Sequence, residues 1–567
     1  MSFRLTCAAI LAATTALTLP AVAHETNRRT ELYKPGVEHA ASELPASDAA
    51  SVAAFSGYGD FGFDPRTEVP EARAAFEQGI ALLWGFNHAA AVQAFCAAQQ
   101  ADPQCSACYW AEAYALGPNL NDGMHDENVT PAFDAAWTAV DTAVTDKEMA
   151  LARALVLRYA FEGGNRELMN RAFAEAMGDV AAQFPGDANI QVFHADALMN
   201  MQPWDYWEAD GVTPKGNGAE ILASLERAMA LSPEHPAALH LYIHAVEASA
   251  DPARAEAAAD ALRGTVPMAG HLVHMPAHIY NRIGRYGDSI AVNEAAIAAD
   301  EAYLEAAGDA ASALYRFGYY PHNIHFLLVG AQMAGIKEDA LAAAQKLADV
   351  TSDEVGASLA WVQAIETAPY TAHAQFSTPE EILALPDPGD AFPFVKGHWH
   401  YARGIALALV GDLDGALAEQ TAIERIIAEA DLAGLEEQYL PARDVLAIAK
   451  HIVEARIAQC QANWDSAEHH LETAIEIEDT IAYMEPPYWY YPVRQTLGAV
   501  RLQAGDAQGA REAFEGALET QPNNAWALWG LWQVSLIDGT GEAAVSEAPT
   551  AFEKAWLGES EPDLGRI

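Results

Sequence analysis

The sequence predicts an all-α fold, a superhelix of repeated helical hairpins preceded by an irregular N-terminal arm. Three observations lead there. Gly79, Ala91, Phe95, Ala98 and Pro103 are spaced by 12, 4, 3 and 5 residues, and Gly498, Ala510, Phe514, Ala517 and Pro522 repeat the same intervals. Small residues let two helices approach closely, a ring fills the gap to the next hairpin, and Pro stops the second helix. Hydrophobic residues make up 51% of the chain, with much of that share Ala, which favours helix over strand. No stretch shows the period-two alternation of a half-buried strand.

Taken in order, residues 1–23 read as a secretory signal. Arg4 supplies the positive end, an apolar run extends from Leu5 to Leu19, and Ala21-Val22-Ala23 fits small-residue cleavage. Residues 24–68 are rich in Pro, Gly and Ser and read as an extended arm, with the aromatic piece YGDFGFDP at 58–65 docking onto the helices after it. Helical periodicity begins near Pro70, and the hairpins group into a first set at 69–355 and a C-terminal set at 396–540. A connector or insertion at 356–395 separates them, and residues 541–567 form a tail. GRYGDSIAVNEAAIAAD at 284–300 and GIKEDALAAAQKLAD at 335–349 show the turn-then-helix form, and GDLDGALAEQ and ANWDSAEHHLETA are more degenerate copies. The phase breaks at 203–218, 304–320, 369–395 and 482–490, where aromatics, Pro or Gly collect. Such insertions gather on one edge of a solenoid.

These repeats resemble the tetratricopeptide family, whose unit is a helix–turn–helix of about 34 residues. The resemblance covers about 70 to 520, with interruptions. It implies a right-handed superhelix with an inner groove, and protein partners. More narrowly, FNHAAAVQAF, YWAEAYALGPNLN, ALHLYIHAVEAS, GHLVHMPAHIY, YYPHNIHFL and EPPYWYYPVRQTLGA resemble exported bacterial tetratricopeptide proteins. That implies fold and a periplasmic location, and leaves chemistry open.

The stretch from Pro236 to Phe326 holds seven of the nineteen histidines: His240, His244, His271, His274, His278, His322 and His325. His274 and His278 lie 34 residues after His240 and His244, while His322 and His325 lie 51 after His271 and His274, one unit plus an insertion. By the resemblance, these rings converge on the groove from adjacent first helices, with Asn281 at the position of Glu247. Imidazoles one turn apart, followed by the Glu247 carboxylate, suit a transition metal. Zn, Cu, Ni and non-haem Fe all accept such a set, and Met268 and Met275 nearby favour copper. Pro276 interrupts the second helix and puts the facing of His271 and His274 in question. Trp110, Tyr114 and Asp196 are further groove candidates. His469 and His470 read as solvated.

The formal net charge of −48 repels phosphate backbones and excludes nucleic acid as a partner. No segment after the signal approaches the roughly 20 apolar residues that span a bilayer. An exported chain permits a disulfide, and Cys96, Cys105 and Cys108 are the candidates. Cys105-Ser-Ala-Cys108 is followed by Tyr109, where haem attachment requires His. No phosphate-cradling Gly loop, Ser nucleophile elbow or HExxH helix is present. The residues therefore point to an exported binding or scaffold protein whose His-rich groove holds one transition metal, or a ligand through it. Two other readings stay open: a metal-dependent oxidase or hydrolase at the same cluster, and a metal-free adaptor for a protein or peptide.

Overall fold

The computed structural model describes residues 57, 59–159, 164–538 and 542–567. The signal at 1–23 and most of the arm at 24–68 lie outside them. Among the described residues there is no strand, only one isolated bridge between Trp207 and Pro214. The chain is all-α, in antiparallel helical pairs of tetratricopeptide type. Pro70–Trp84 packs on His88–Ala101, Tyr320–Ala334 on Lys337–Val350, and Pro393–Leu409 on Leu413–Glu429. Ala442–Cys460 packs on Trp464–Glu478, and Val493–Ala504 on Ala507–Thr520.

Local chemistry explains the hairpins. Val493–Ala504 stops at Gly505, whose φ of 88° suits a residue without Cβ. The next residue, Asp506, then caps the following helix by accepting from the Gly509 N–H at 2.9 Å. Asp412 and Asn463 cap their helices in the same way. The repeat signature has a steric cause. A Cβ on Gly79 would stand 2.4 Å from the Phe95 ring, and one on Gly498 would stand 2.7 Å from the Phe514 ring. Both phenylalanines are fully buried.

The 356–395 region is itself helical and includes Ala360–Phe376. At the N-terminal end Phe63 packs edge-on against Phe76, Trp110 and Phe193, and the Asn189 Nδ2 donates to the Phe61 carbonyl at 2.9 Å. The last hairpins fold back on the middle of the chain. Trp526 Nε1 donates to the Gln332 carbonyl at 2.7 Å, Leu557 N to the Ala334 carbonyl at 2.9 Å, and Arg566 Nη1 to the Ala374 carbonyl at 3.0 Å. The later segments thereby close over the C-terminal end of Tyr320–Ala334 and over Ala360–Phe376.

Candidate metal centre

The middle repeats place their histidines by ordinary helix rules. Pro236–Val246 begins at a Pro whose missing N–H costs nothing there. It carries His240 and His244 one turn apart on one face, with Glu247 directly after it. Pro276 divides the first helix of the following repeat into Gly270–His274 and Pro276–Arg282. Met275 between them keeps helical angles, φ −49° and ψ −37°, so the chain bends little. His271, His274 and His278 all stay on the inner side, which settles the question Pro276 raised. Tyr320–Ala334 contributes His322.

The rings gather in two sets of three. One ring nitrogen each from His240, His244 and His271 lies within 4.8 Å of the others, and the same holds for His274, His278 and His322. In the first set His240 Nε2 and His271 Nε2 are 3.2 Å apart. In the second, His274 Nε2 and His278 Nε2 are 2.7 Å apart, and the His322 ring centre is 4.9 Å from that of His274. All these rings are buried except His322, which is half-buried.

The outward nitrogens fix the tautomers. His244 Nδ1 donates to Glu247 Oε1 at 2.7 Å, and His278 Nδ1 to Glu247 Oε2 at 2.6 Å. His274 Nδ1 donates to Asn293 Oδ1 at 2.7 Å, and the Asn293 amide is oriented by its own Nδ2 donating to the Ser289 carbonyl at 2.7 Å. Neutral imidazole has one N–H and one lone pair. His274 and His278 both use their N–H outward, so their Nε2 lone pairs face each other inside. His244 Nε2 is likewise buried without a partner. Burial favours the neutral form throughout. It lowers His244 to about 4 against the nearby Glu485 carboxylate, and lowers His274 to about 3. Burial, reinforced by neighbouring imidazoles, also holds His240, His271, His278 and His322 well below the usual histidine range.

Aromatic residues and three of the four phase-breaking segments wall the centre. Phe86 lies 4.8 Å from both His240 and His271, and Phe326 lies 4.7, 4.7 and 5.0 Å from His274, His278 and His322. Trp204, from 203–218, meets His244 edge-on at 4.9 Å. Tyr319, from 304–320, meets His271 at 5.3 Å. Tyr483, from 482–490, donates to Glu247 Oε2 at 3.0 Å beneath the Arg282 guanidinium. The rings therefore sit in a walled chamber, reached by solvent at the half-buried His322, and not along an open groove. Sequence reasoning missed Phe86, Asn293, Phe326 and Tyr483 as parts of it. The broken phase at 482–490 was a usable signal for Tyr483; Phe86 and Asn293 had none.

The remaining candidates lie elsewhere. His325 joins neither set; it packs 5.7 Å from Tyr490, and both its nitrogens are buried without partners. Asn281 Oδ1 is buried and accepts no hydrogen bond. Trp110, Tyr114 and Asp196 form a core knot and not a groove wall. The Trp110 indole donates to the Leu151 carbonyl at 3.1 Å, the Tyr114 hydroxyl donates to Asp196, and Asn200 donates to Asp196 at 2.9 Å. Cys105 and Cys108 are bonded to each other, while the free Cys96 thiol donates to Glu112 at 3.4 Å. His470 is not simply solvated, since His451 and His470 Nδ1 lie 3.0 and 3.1 Å from Glu454 Oε2, with Lys450 on the other oxygen.

No family model and no curated protein matches the chain. Among solved structures it is similar to a human IFIT1 dimer with m7Gppp-AAAA, at 13% identity over 79% of this chain and 89% of that one, with a TM-score of 0.30. It is also similar to the P58(IPK) TPR domain, at 13% identity over 85% and 97% with a TM-score of 0.19. A third is the APC/C hetero-tetramer Cut9–Hcn1, at 14% over 85% and 90% with a TM-score of 0.23. The helical-hairpin architecture stands on the helices described above. Among the described residues no helix is long and apolar enough to cross a membrane.

Proposed function

We propose that the chain is an exported tetratricopeptide-like scaffold that binds a transition metal at its buried histidine centre. The observation that carries this is the 2.7 Å approach of His274 Nε2 and His278 Nε2, both of whose N–H groups point outward. Two lone pairs facing each other in a dry interior repel unless a cation lies between them. A single proton could serve that pair, but it leaves His244 Nε2 still buried without a partner. A metal ion satisfies both lone pairs of that pair, and the orphaned His244 Nε2 is a further donor atom of the same kind. The Glu247 and Asn293 acceptors are the outer partners that metal-bound imidazoles ordinarily have. An all-imidazole set selects Zn, Cu or Fe and disfavours Mg and Ca. The apolar run at 1–23 and the Cys105–Cys108 bond support export to an oxidising compartment.

The half-buried His322 favours a second use of the same centre, metal-dependent oxidation or hydrolysis, because it is where a small molecule would reach the ion. The test of metal binding is elemental analysis of tag-free protein recovered from the periplasm, beside the His274→Gln/His278→Gln double variant. The wild type should carry metal and the variant should lose most of it with helicity retained. A wild type that holds no metal, and takes up none from micromolar Zn(II) or Cu(II), sinks the proposal.

A further inference from the structure

We infer that the centre holds two metal ions, one in each set of three histidines. This rests on the metal-binding reading above and goes beyond it in number and arrangement. The two sets are the same set made twice by the repeat. His240 and His244 recur 34 residues later as His274 and His278, and His271 recurs 51 residues later as His322. Applied to the whole first set, one repeat step yields the whole second set. A third copy would begin at His325, the counterpart of His274, but the counterpart of His278 is Val329. That missing ring explains why His325 stands apart beside Tyr490.

The sets abut, with the His271 and His274 ring centres 5.9 Å apart, as far as those of His244 and His271 within one set, and what divides them is how their ligand atoms close. The ligand atoms close within 4.8 Å in threes, and the one group that crosses between the sets does so through Glu247, joining His244 to His278. A tetrahedral ion with bonds of about 2.0–2.1 Å needs donors about 3.3 Å apart. His240 Nε2 and His271 Nε2 already stand at 3.2 Å, and the 2.7 Å pair in the other set needs only a small opening. Each set also has its own ring against it, Phe86 on the first and Phe326 on the second. One ion placed in the second set would leave the His244 Nε2 buried without a partner, and one placed in the first would leave the facing His274 and His278 lone pairs unserved.

Three imidazoles per ion leave a coordination position open, the pattern of reactive metal sites and not of closed structural ones. Glu247 spans the two sets from outside, through His244 Nδ1 and His278 Nδ1, and so couples the basicity of one ligand in each. The ligand class that fits is a small anion or oxygen species able to reach two neighbouring ions.

The test counts ions in full-length protein carrying His451→Ala and His470→Ala, which removes the half-buried cluster around Glu454. The protein is loaded with Zn(II), desalted and analysed for metal. Two equivalents are expected, falling to one in His240→Gln and to one in His322→Gln, with circular dichroism unchanged. One equivalent in the parent overturns the two-ion inference and leaves the metal-binding proposal standing; none overturns both. Two equivalents that persist in both single variants also overturn it, because the ions then lie elsewhere. Should a single variant fail to fold, the Cu(II)-loaded parent decides. Two neighbouring Cu(II) ions couple, giving an electron-spin signal well below the copper content, whereas a signal equal to that content counts against the inference.

Discussion

His244 and His278 lie 34 residues apart and donate to the two oxygens of one carboxylate, Glu247, at 2.7 and 2.6 Å. A single acidic side chain thus orients one ring from each of two successive repeats. Its own repeat counterpart is Asn281, whose Oδ1 takes no such part.

The first prediction concerns that carboxylate. Glu247→Gln keeps the volume but removes the charge, and turns one acceptor into an NH2 that cannot receive an imidazole N–H. Loss of such an outer partner weakens metal affinity by roughly 10–100-fold. A competition titration with a Zn(II) chelator should show that loss with helicity intact. An unchanged affinity would mean that Glu247 orients no ligand.

The second concerns the repeat itself. Ala is intrinsically about 1 kcal/mol better than Gly inside a helix. At Gly79, however, the added Cβ would meet the buried Phe95 ring at 2.4 Å, whereas at Gly516 it meets only the Arg494 side chain at 3.3 Å. Overpacking costs about 1–3 kcal/mol. Gly79→Ala should therefore lower the thermal midpoint and Gly516→Ala should raise it slightly. Two shifts of the same sign would show that the close approach is not what selects Gly79.

The third concerns pH. Burial raises Glu478 to about 8, and raises Glu366 to about 8 with help from the Asp353 charge. Both are acids held protonated in the fold but ionised at about 4.3 when unfolded. The folded state then binds more protons between those limits, so their contribution is full below about pH 4.3 and is lost as pH rises through 8. Each contributes a slope of at most about 1.4 kcal/mol per pH unit. In Glu366→Gln/Glu478→Gln, unfolding midpoints measured from pH 5 to 8 should decline less than in the wild type. A parallel decline in both would place the pH dependence in other groups.

Much of the fold was legible because its cause is local. The Gly79–Phe95 and Gly498–Phe514 contacts join neighbouring helices of one hairpin, and turns such as Gly505-Asp506 are written in adjacent residues. Periodicity also grouped the histidines, since His240/His244 and His274/His278 share one phase. It did not separate His325 from the rest, because a ring's phase says which face it occupies and not which rings it meets.

By itself, the sequence determined an all-α repeat, the common phase of most of the histidines though not the facing of His271 and His274 before Pro276, and the stretches where the repeat breaks. Only the tertiary structure decided that six rings divide into two threes, that Glu247 bridges them, and that Trp204, Tyr319 and Tyr483 wall the chamber. The reason is range. Helix pairing and capping depend on residues within one unit, whereas Tyr483 reaches Glu247 across 236 residues of chain. Contacts of that kind follow from how all the intervening hairpins stack, and no local pattern encodes that sum.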